Sequence, residues 1–325
     1  MNNTLENKGT FVISLDFELM WGIWDVTTIE KYGANIIGVK KVIPRLLDLF
    51  EEYNIKATFA TVGFLFAHNK DELFAYLPDT KPAYLNKNYN VYEKEIGLIG
   101  YDEADDAYHY GYTLLELIKN SPHELCTHTF SHYYCLEEGQ TARQFSADID
   151  AAIKIAEVNG VSLKSIVFPR NQVNEEYLQI LQAKGIGVYR GNPTSWIYKP
   201  RKFAAEILFI RFCRLLDTYV RISGYNTHII NRKDNSAINI PASRFLKPYN
   251  KNLIWLEKFK LARIMNEMTR AAKRKELYHL WWHPHNFGEN IADNITNLTI
   301  ILNHYQLLNK KYGFTNCTMK EAAEL

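Results

Sequence analysis

Short β-branched runs alternating with stretches of helical periodicity constrain this chain more than any other feature. Residues 11–16 read Phe-Val-Ile-Ser-Leu-Asp, the pattern of a strand covered on both faces. Apolar residues then recur at helical spacing over 39–53, at Val42, Ile43, Leu46, Leu47, Leu49 and Phe50. Further strands are predicted at 56–61, 124–127, 164–169, 186–190, 237–241 and 277–283, with helices at 142–156, 175–183 and 293–309. Such alternation predicts a parallel sheet, open or closed into a barrel, within one α/β domain spanning residues 1–325. Two stretches interrupt it. Residues 78–112 are rich in Asp, Tyr and Asn and read as a long loop or small insertion, and residues 196–276 form a basic insertion.

The charge nearly balances, 38 Lys/Arg against 36 Asp/Glu, yet residues 196–276 hold 18 of the basic residues and only 6 of the acidic ones. Such an asymmetry marks a surface that meets something anionic. Arg201, Lys202, Arg211, Arg214 and Arg221 interleave with Phe203, Ile207, Leu208, Ile210, Leu215 and Tyr219, as in a basic amphipathic helix. Two readings stay open: a solvated helix packed on the barrel, or a surface for a membrane headgroup or a phosphate-bearing substrate. No helix-turn-helix, zinc-finger or aromatic RNA-binding signature accompanies the charge, which sets nucleic acid aside. The four cysteines have no Cys-x-x-Cys spacing, so neither a thiolate zinc site nor a disulfide framework is indicated. Residues 1–10 are polar and lack the basic start and apolar segment of an export signal, and no apolar run reaches a membrane span, so a cytoplasmic location is expected.

Polar residues collect where the predicted strands end, the place at which parallel α/β sheets build their sites. Asp16 and Glu18 close the first strand, two residues apart and so able to face one cavity, although a helix cap plus a surface acid would look the same. Trp21 follows them. His128 and His132, in Thr-His-Thr-Phe-Ser-His, share one face of a helical turn and could bind one metal, or be ordinary polar surface. A zincin is disfavoured because Thr129, not Glu, follows His128. Arg170 ends a later strand, where a guanidinium holds either a substrate anion or a structural carboxylate, and Arg190 ends the strand after it. Trp281, Trp282, His283 and His285 close the last strand and suggest a proton donor beside a sugar-stacking platform.

In this order, the acid pair, His-Thr-Phe-Ser-His, the arginine and Leu280-x-x-His283 resemble the polysaccharide deacetylase superfamily, the NodB-homology domain of carbohydrate esterase family 4. Residues 57–63, Ala-Thr-Phe-Ala-Thr-Val-Gly, are similar to that family's second strand, and the resemblance covers 11–190 and 277–310. It implies a distorted, incomplete (β/α) barrel, here carrying a basic, largely helical insertion, with a divalent metal at its mouth. By the same resemblance Glu18, His128 and His132 are the metal ligands, Asp16 the general base, Arg170 the arginine that orients it and His283 the general acid. Trp21, Arg190, Trp282 and His285 would contact substrate, with His285 also a rival to His283 as the acid. The family's adjacent Asp-Asp is Asp16-Phe17-Glu18 here, a D-x-E variant that leaves the roles of the two acids interchangeable. The aspartate that tunes the family's acid histidine has no identified counterpart.

The chemistry fits these residue types. A two-His, one-carboxylate site leaves room for a water whose pKa the metal lowers, with zinc favoured over cobalt, nickel or manganese. The expected activity is removal of an N-acetyl or other N-acyl group from a sugar in polysaccharide, capsule or lipopolysaccharide biosynthesis. The substrate would be carried on a nucleotide or lipid diphosphate, with residues 196–276 holding the diphosphate or lying against the membrane. The alternatives are hydrolysis of another C–N bond, such as a formamide or cyclic ureide, and a catalytically inactive sugar-binding homologue.

Overall fold

In the computed structural model residues 8–231 and 236–325 are described. The first seven of the polar residues that carry the export-signal reading, and residues 232–235 of the basic segment, lie outside the described residues.

β1 (Thr10–Phe17) is buried at every position, as its apolar run predicts. The chain continues through α1 (Ile29–Glu52), β2 (Thr58–Thr61), α2 (Lys70–Ala75), α3 (Val91–Lys94), α4 (Tyr112–Lys119), β3 (Glu124–Thr127), α5 (Ala142–Val158), β4 (Ser165–Val167), α6 (Leu178–Ala183) and β5 (Val188–Arg190). It then forms α7 (Leu208–Asp217), β6 (Ile238–Asn239), β7 (Arg244–Phe245), α8 (Ile254–Arg274), β8 (Leu277–Trp282), α9 (Ile291–Tyr312), β9 (Thr315–Asn316) and α10 (Met319–Glu324). The strands are ordered β6-β5-β4-β3-β2-β1-β8-β7, all parallel, with β9 beside the foot of β1.

The sheet curls round on itself because one extended segment, 238–246, serves both of its edges. The amides of Ile238, Ile240 and Ala242 donate along β5, and those of Ser243 and Leu246 donate to β8. The ladder is broken between β6 and β7, so the result is the distorted, incomplete (β/α) barrel expected. Inside it Val12, Ala60, Cys126, Val167, Val188 and Ile240 form an apolar plug, closed at the foot by Met319 and Ala322 of α10. The opposite faces of the strands pack on the helices: Ile13, Leu15, Leu280 and Trp282 share one core with Val42, Ile43, Leu46 and Phe50 of α1. The four cysteines are buried and unpaired.

Three boundaries differ from the sequence reading. α1 starts ten residues before the predicted Val39, through Gly33 and Gly38, which weaken its helical pattern. Gly38 is needed there: a Cβ on it would fall 2.3 Å from the Gly288 carbonyl oxygen, in the loop that follows β8. The basic helix is also shorter than its periodicity suggested, ten residues at α7. Finally, residues 196–276 are not a single insertion, since they contain β6, β7 and the 21-residue α8, which belong to the barrel.

Candidate active site

Alternation along the strands decides which side chains meet at the barrel mouth. Ser14 and Asp16 of β1 point inward with Arg190 of β5, and His279, Trp281 and His283 line up on the same side of β8. Of these, Asp16, Trp281 and His283 line, with Glu18, His128 and His132, a cleft of about 410 Å³, and Ser14, Arg190 and His279 lie outside its lining.

Glu18 stands at its centre. One of its oxygens, Oε2, lies 3.2 Å from His128 Nε2 and 3.3 Å from His132 Nε2. Both histidines come from a loop, not the helical turn expected of an i, i+4 pair, with Thr129 at φ +63° and His132 at φ +55°. Asp148 of α5 holds that loop, accepting the amides of Phe130 (2.7 Å) and Ser131 (3.2 Å) and the Ser131 hydroxyl. Burial pushes the Asp148 carboxyl up to about 6 despite these donors. Among the described residues, five of the eight non-glycine residues with positive φ, Leu19, Thr129, His132, Arg170 and Asn171, cluster round the cleft, as strained backbone does at functional sites.

The donor set suits a divalent cation. His128 Nδ1 sits 2.8 Å from the Val167 carbonyl, which can only accept, so a neutral ring presents a bare Nε2 to Glu18. Two acceptors at 3.2 Å repel each other unless a proton or a metal lies between them. Glu18, His128 and His132 bring three ligand atoms within 4.8 Å of one another, all on buried residues. Glu18 is anionic there. Burial opposes its ionisation, but the charge of His283 and the hydrogen bond from His285 hold it well below the usual carboxylate range. Gly22 makes the space, because a Cβ on it would fall 2.0 Å from the Glu18 carboxyl carbon.

His285 forms a second trio with Glu18 and His283, but its hydrogen bonds give it another part. The Asn286 amide donates to the Tyr32 hydroxyl (3.1 Å), whose proton then faces His285 Nδ1 (3.1 Å). That leaves His285 Nε2–H to donate to Glu18 Oε1 at 3.1 Å. His285 therefore fixes the carboxylate. His283 is more open, 24 % exposed, with Nδ1 on Asn286 Oδ1 (3.0 Å) and Nε2 3.7 Å from Asp16 and 3.6 Å from Glu18. Asn286 thus occupies the place beside the candidate acid where no aspartate was found.

The arginine that holds Asp16 is Arg190, not Arg170. Arg190 is fully buried and bidentate on Asp16 at 2.7 and 2.8 Å, and it also donates to Ser14 (2.9 Å) and Asn171 (3.0 Å). Burial alone would raise the Asp16 carboxyl, but the Arg190 guanidinium holds it below its ordinary range. Arg170 instead pairs with Asp25 at 2.5 Å, beneath the rings of Tyr134 (4.1 Å) and Phe203 (4.6 Å). Its positive φ, after Pro169, turns the side chain away from Asp16 to the cleft wall.

Of the tryptophans expected near substrate, Trp21 and Trp282 lie elsewhere. Trp21 is buried, donating its indole N–H to the His109 carbonyl at 2.7 Å, and Trp282 is buried against Phe287. Both fall on the outward side of the barrel wall. Trp281, one residue away, lines the cleft with Phe245, their rings 4.7 Å apart. Tyr32, Asn171, Phe245 and Asn286 were not anticipated. Between the two tryptophans of the expected platform, period-2 alternation with His283 selects Trp281.

The family profile described as polysaccharide deacetylase matches residues 33–189. Over that stretch the chain is similar to the polysaccharide deacetylase family. Among solved structures it is similar to a putative polysaccharide deacetylase from Mycobacterium smegmatis, with 13% identity, TM-score 0.62, and 99% of this chain and 92% of that one covered. A probable polysaccharide deacetylase from Pseudomonas aeruginosa matches at 10% identity and TM-score 0.57, over 97% and 89%. Puue allantoinase matches at 10% identity and TM-score 0.54, over 98% and 91%. At these identities the likeness is one of fold. No curated protein matches the chain.

Proposed function

We propose that this chain is a metal-dependent hydrolase that removes an N-acetyl or other N-acyl group from a sugar. The observation that carries the reading is Glu18 between His128 and His132, with Asp16 and His283 beside it in one cleft. A zinc or similar ion held by Glu18, His128 and His132 would supply Lewis acidity and a water of lowered pKa. Asp16, oriented by Arg190, takes the proton released as water adds to the acyl carbon. His283, steadied by Asn286, delivers a proton to the departing sugar nitrogen, so the products are a carboxylate and an amine. Trp281 and Phe245 offer the apolar face on which a sugar ring stacks.

The D-x-E spacing gives the two acids separate tasks: Asp16 faces a guanidinium, while Glu18 faces imidazoles. Arg214, a candidate for binding a substrate diphosphate, is bidentate on Glu206 at 2.8 Å and does not line the cleft. Diphosphate recognition by that residue is therefore not part of the proposal. An inactive homologue is disfavoured because each position needed for hydrolysis carries a competent side chain. Purified protein, dialysed against zinc, should bind about one equivalent. It should also release acetate and free amine from N-acetylated hexosamines, free or diphosphate-linked. Binding no transition metal, or releasing only products from formamides or cyclic ureides, would count against the reading.

A further inference from the structure

The helix α7 is amphipathic in the unexpected sense: its apolar side faces solvent. Leu208, Phe209 and Phe212 are 80%, 61% and 55% exposed, while Ile210, Cys213 and Asp217 face the protein. A solvated helix turns its polar face outward, so burial against the barrel does not account for this surface. Twelve of the 26 exposed large apolar side chains among the described residues fall within 196–229, and Trp196 stacks on Phe209 with ring centroids 6.4 Å apart. The ridge continues through Val220 and Ile222. Asp217 ties α7 to Arg263 of α8 (2.8 Å), and one and two turns before Arg263 the exposed Phe259 and Trp255 follow.

The charge around this ridge has one sign. Residues 196–231 contain six Lys/Arg and two acids, and both acids are engaged: Glu206 on Arg214, and Asp217, buried, on Arg244 and Arg263. Lys199, Arg211 and Arg221 are exposed among the apolar residues. A second copy of the chain related by a two-fold axis would set these cations against one another. An anionic headgroup layer accepts both the cations and the apolar ridge. No helix among the described residues is long and apolar enough to cross a membrane, so the contact would be interfacial.

We propose that the face built by residues 207–222, extended by Trp255 and Phe259, docks this protein onto an anionic lipid bilayer. The ridge hangs from the cleft mouth. The Phe203 ring lies over Arg170, the Phe203 amide donates to Glu137 (2.7 Å) and Gln172 donates to the Arg201 carbonyl (3.2 Å). Docking therefore brings the cleft to the headgroup layer. Resting on the N-acyl sugar reading, this makes the substrate class a sugar carried on a lipid.

The test is co-sedimentation of the full chain with vesicles of phosphatidylcholine alone or with about a third phosphatidylglycerol. Binding is expected only to the anionic vesicles and should weaken with salt. Phe209→Ser with Phe212→Ser should abolish it. Arg211→Ser with Arg221→Ser should weaken it about 30-fold, from about 1 kcal/mol per surface cation. Leu208→Ser with Val220→Ser, at positions at least as exposed, serves if the phenylalanine variant does not fold. No binding by the wild type, or binding that ignores all these changes, overturns the proposal. So does a dimer in sedimentation velocity that Phe209→Ser with Phe212→Ser dissociates, since the ridge would then be a self-association surface. Zinc binding and hydrolysis of a water-soluble N-acetyl sugar should be unchanged in each variant. Loss of those activities in the wild type, with vesicle binding intact, would refute the catalytic reading and leave the docking surface standing.

Discussion

Replacing Arg190 by Gln tests whether this arginine is the group that keeps Asp16 ionised inside the barrel. Arg190 is buried and gives four hydrogen bonds, two of them to Asp16, with its guanidinium 4.2 Å from the Trp281 ring centroid. Glutamine could keep one of those bonds but none of the charge, leaving a buried carboxylate without a counter-ion. Breaking one side of such a pair costs about 3–5 kcal/mol, from a total stability of about 5–15 kcal/mol. The melting temperature should fall by roughly 5–15 °C. The pH dependence has a definite sign. In the wild type the Asp16 carboxyl titrates below its ordinary 3.8, so the pair contributes above that pH and is lost as pH falls through the folded value. In Arg190→Gln the carboxyl moves up, so the variant's deficit is largest near neutrality and shrinks on acidification. Urea unfolding near pH 7 and near pH 4 reads both effects. Asp16→Asn added to Arg190→Gln should restore part of the loss near pH 7, because the neutral amide needs no counter-ion. Arg170→Gln, which disturbs the Asp25 pair, should show no such coupling to Asp16. Wild-type stability for Arg190→Gln, or failure of Asp16→Asn to rescue it, would refute the assignment.

Three further outcomes are expected. His128→Ala should lose stoichiometric zinc while keeping a native circular dichroism spectrum, and chelation should silence the wild type but leave this variant's residual rate unchanged. Gly22→Ala should lower zinc affinity with a far smaller effect on strand content, since its methyl group displaces the Glu18 carboxylate; unchanged affinity in a zinc titration would contradict the packing. His109 is buried between Asp106 (2.8 Å) and Glu95 (2.9 Å), and although burial opposes its charge, these acids raise it above the usual 6.5. Its contribution is therefore complete below pH 6.5 and fades as pH rises through the raised value. His109→Gln should cost about 2 kcal/mol at pH 6 and less at pH 9 in denaturant unfolding.

The barrel was legible because its strands are short apolar runs, and such runs have little else to become between helices. The helix α8 was not, although it is 21 residues long. Its inward face carries Glu257, Lys260, Arg263 and Glu267, spaced like the apolar residues of a core-facing helix. Hydrophobic periodicity reads such a face as solvated. The structure shows why it is buried: Arg244 of β7 is bidentate on Glu267 at 2.7 and 2.8 Å, and Arg263 reaches Asp217 of α7. Glu257 and Lys260 pair with each other along the helix (2.7 Å), but Arg263 and Glu267 are also met by partners from two other elements, which no local pattern announces. The same holds for the basic segment, where charge density was visible but the outward turn of its apolar face was not.

At the site, residue types were legible and pairings were not. Acids at strand ends and the His-x-x-x-His spacing marked Glu18, His128 and His132 as candidates, the family resemblance proposed them as one set, and the structure brings their ligand atoms together. Which arginine serves Asp16 depends on geometry 20 residues apart: Arg170 follows Pro169 in a left-handed turn, while Arg190 still lies on a strand with its side chain inward. An inward residue on β5 reaches across the barrel to β1, whereas a residue past the end of β4 reaches only the rim. The same rule could have chosen between the two tryptophans, since His283 and Trp281 share one side of β8 and Trp282 the other. Period-2 alternation applied to His283 therefore selects the cleft aromatic, and applied to β5 it selects the arginine. Asn286 and Tyr32 lie beyond its reach, because they come from a loop and a helix that meet only when α1 packs on the loop after β8 at Gly38.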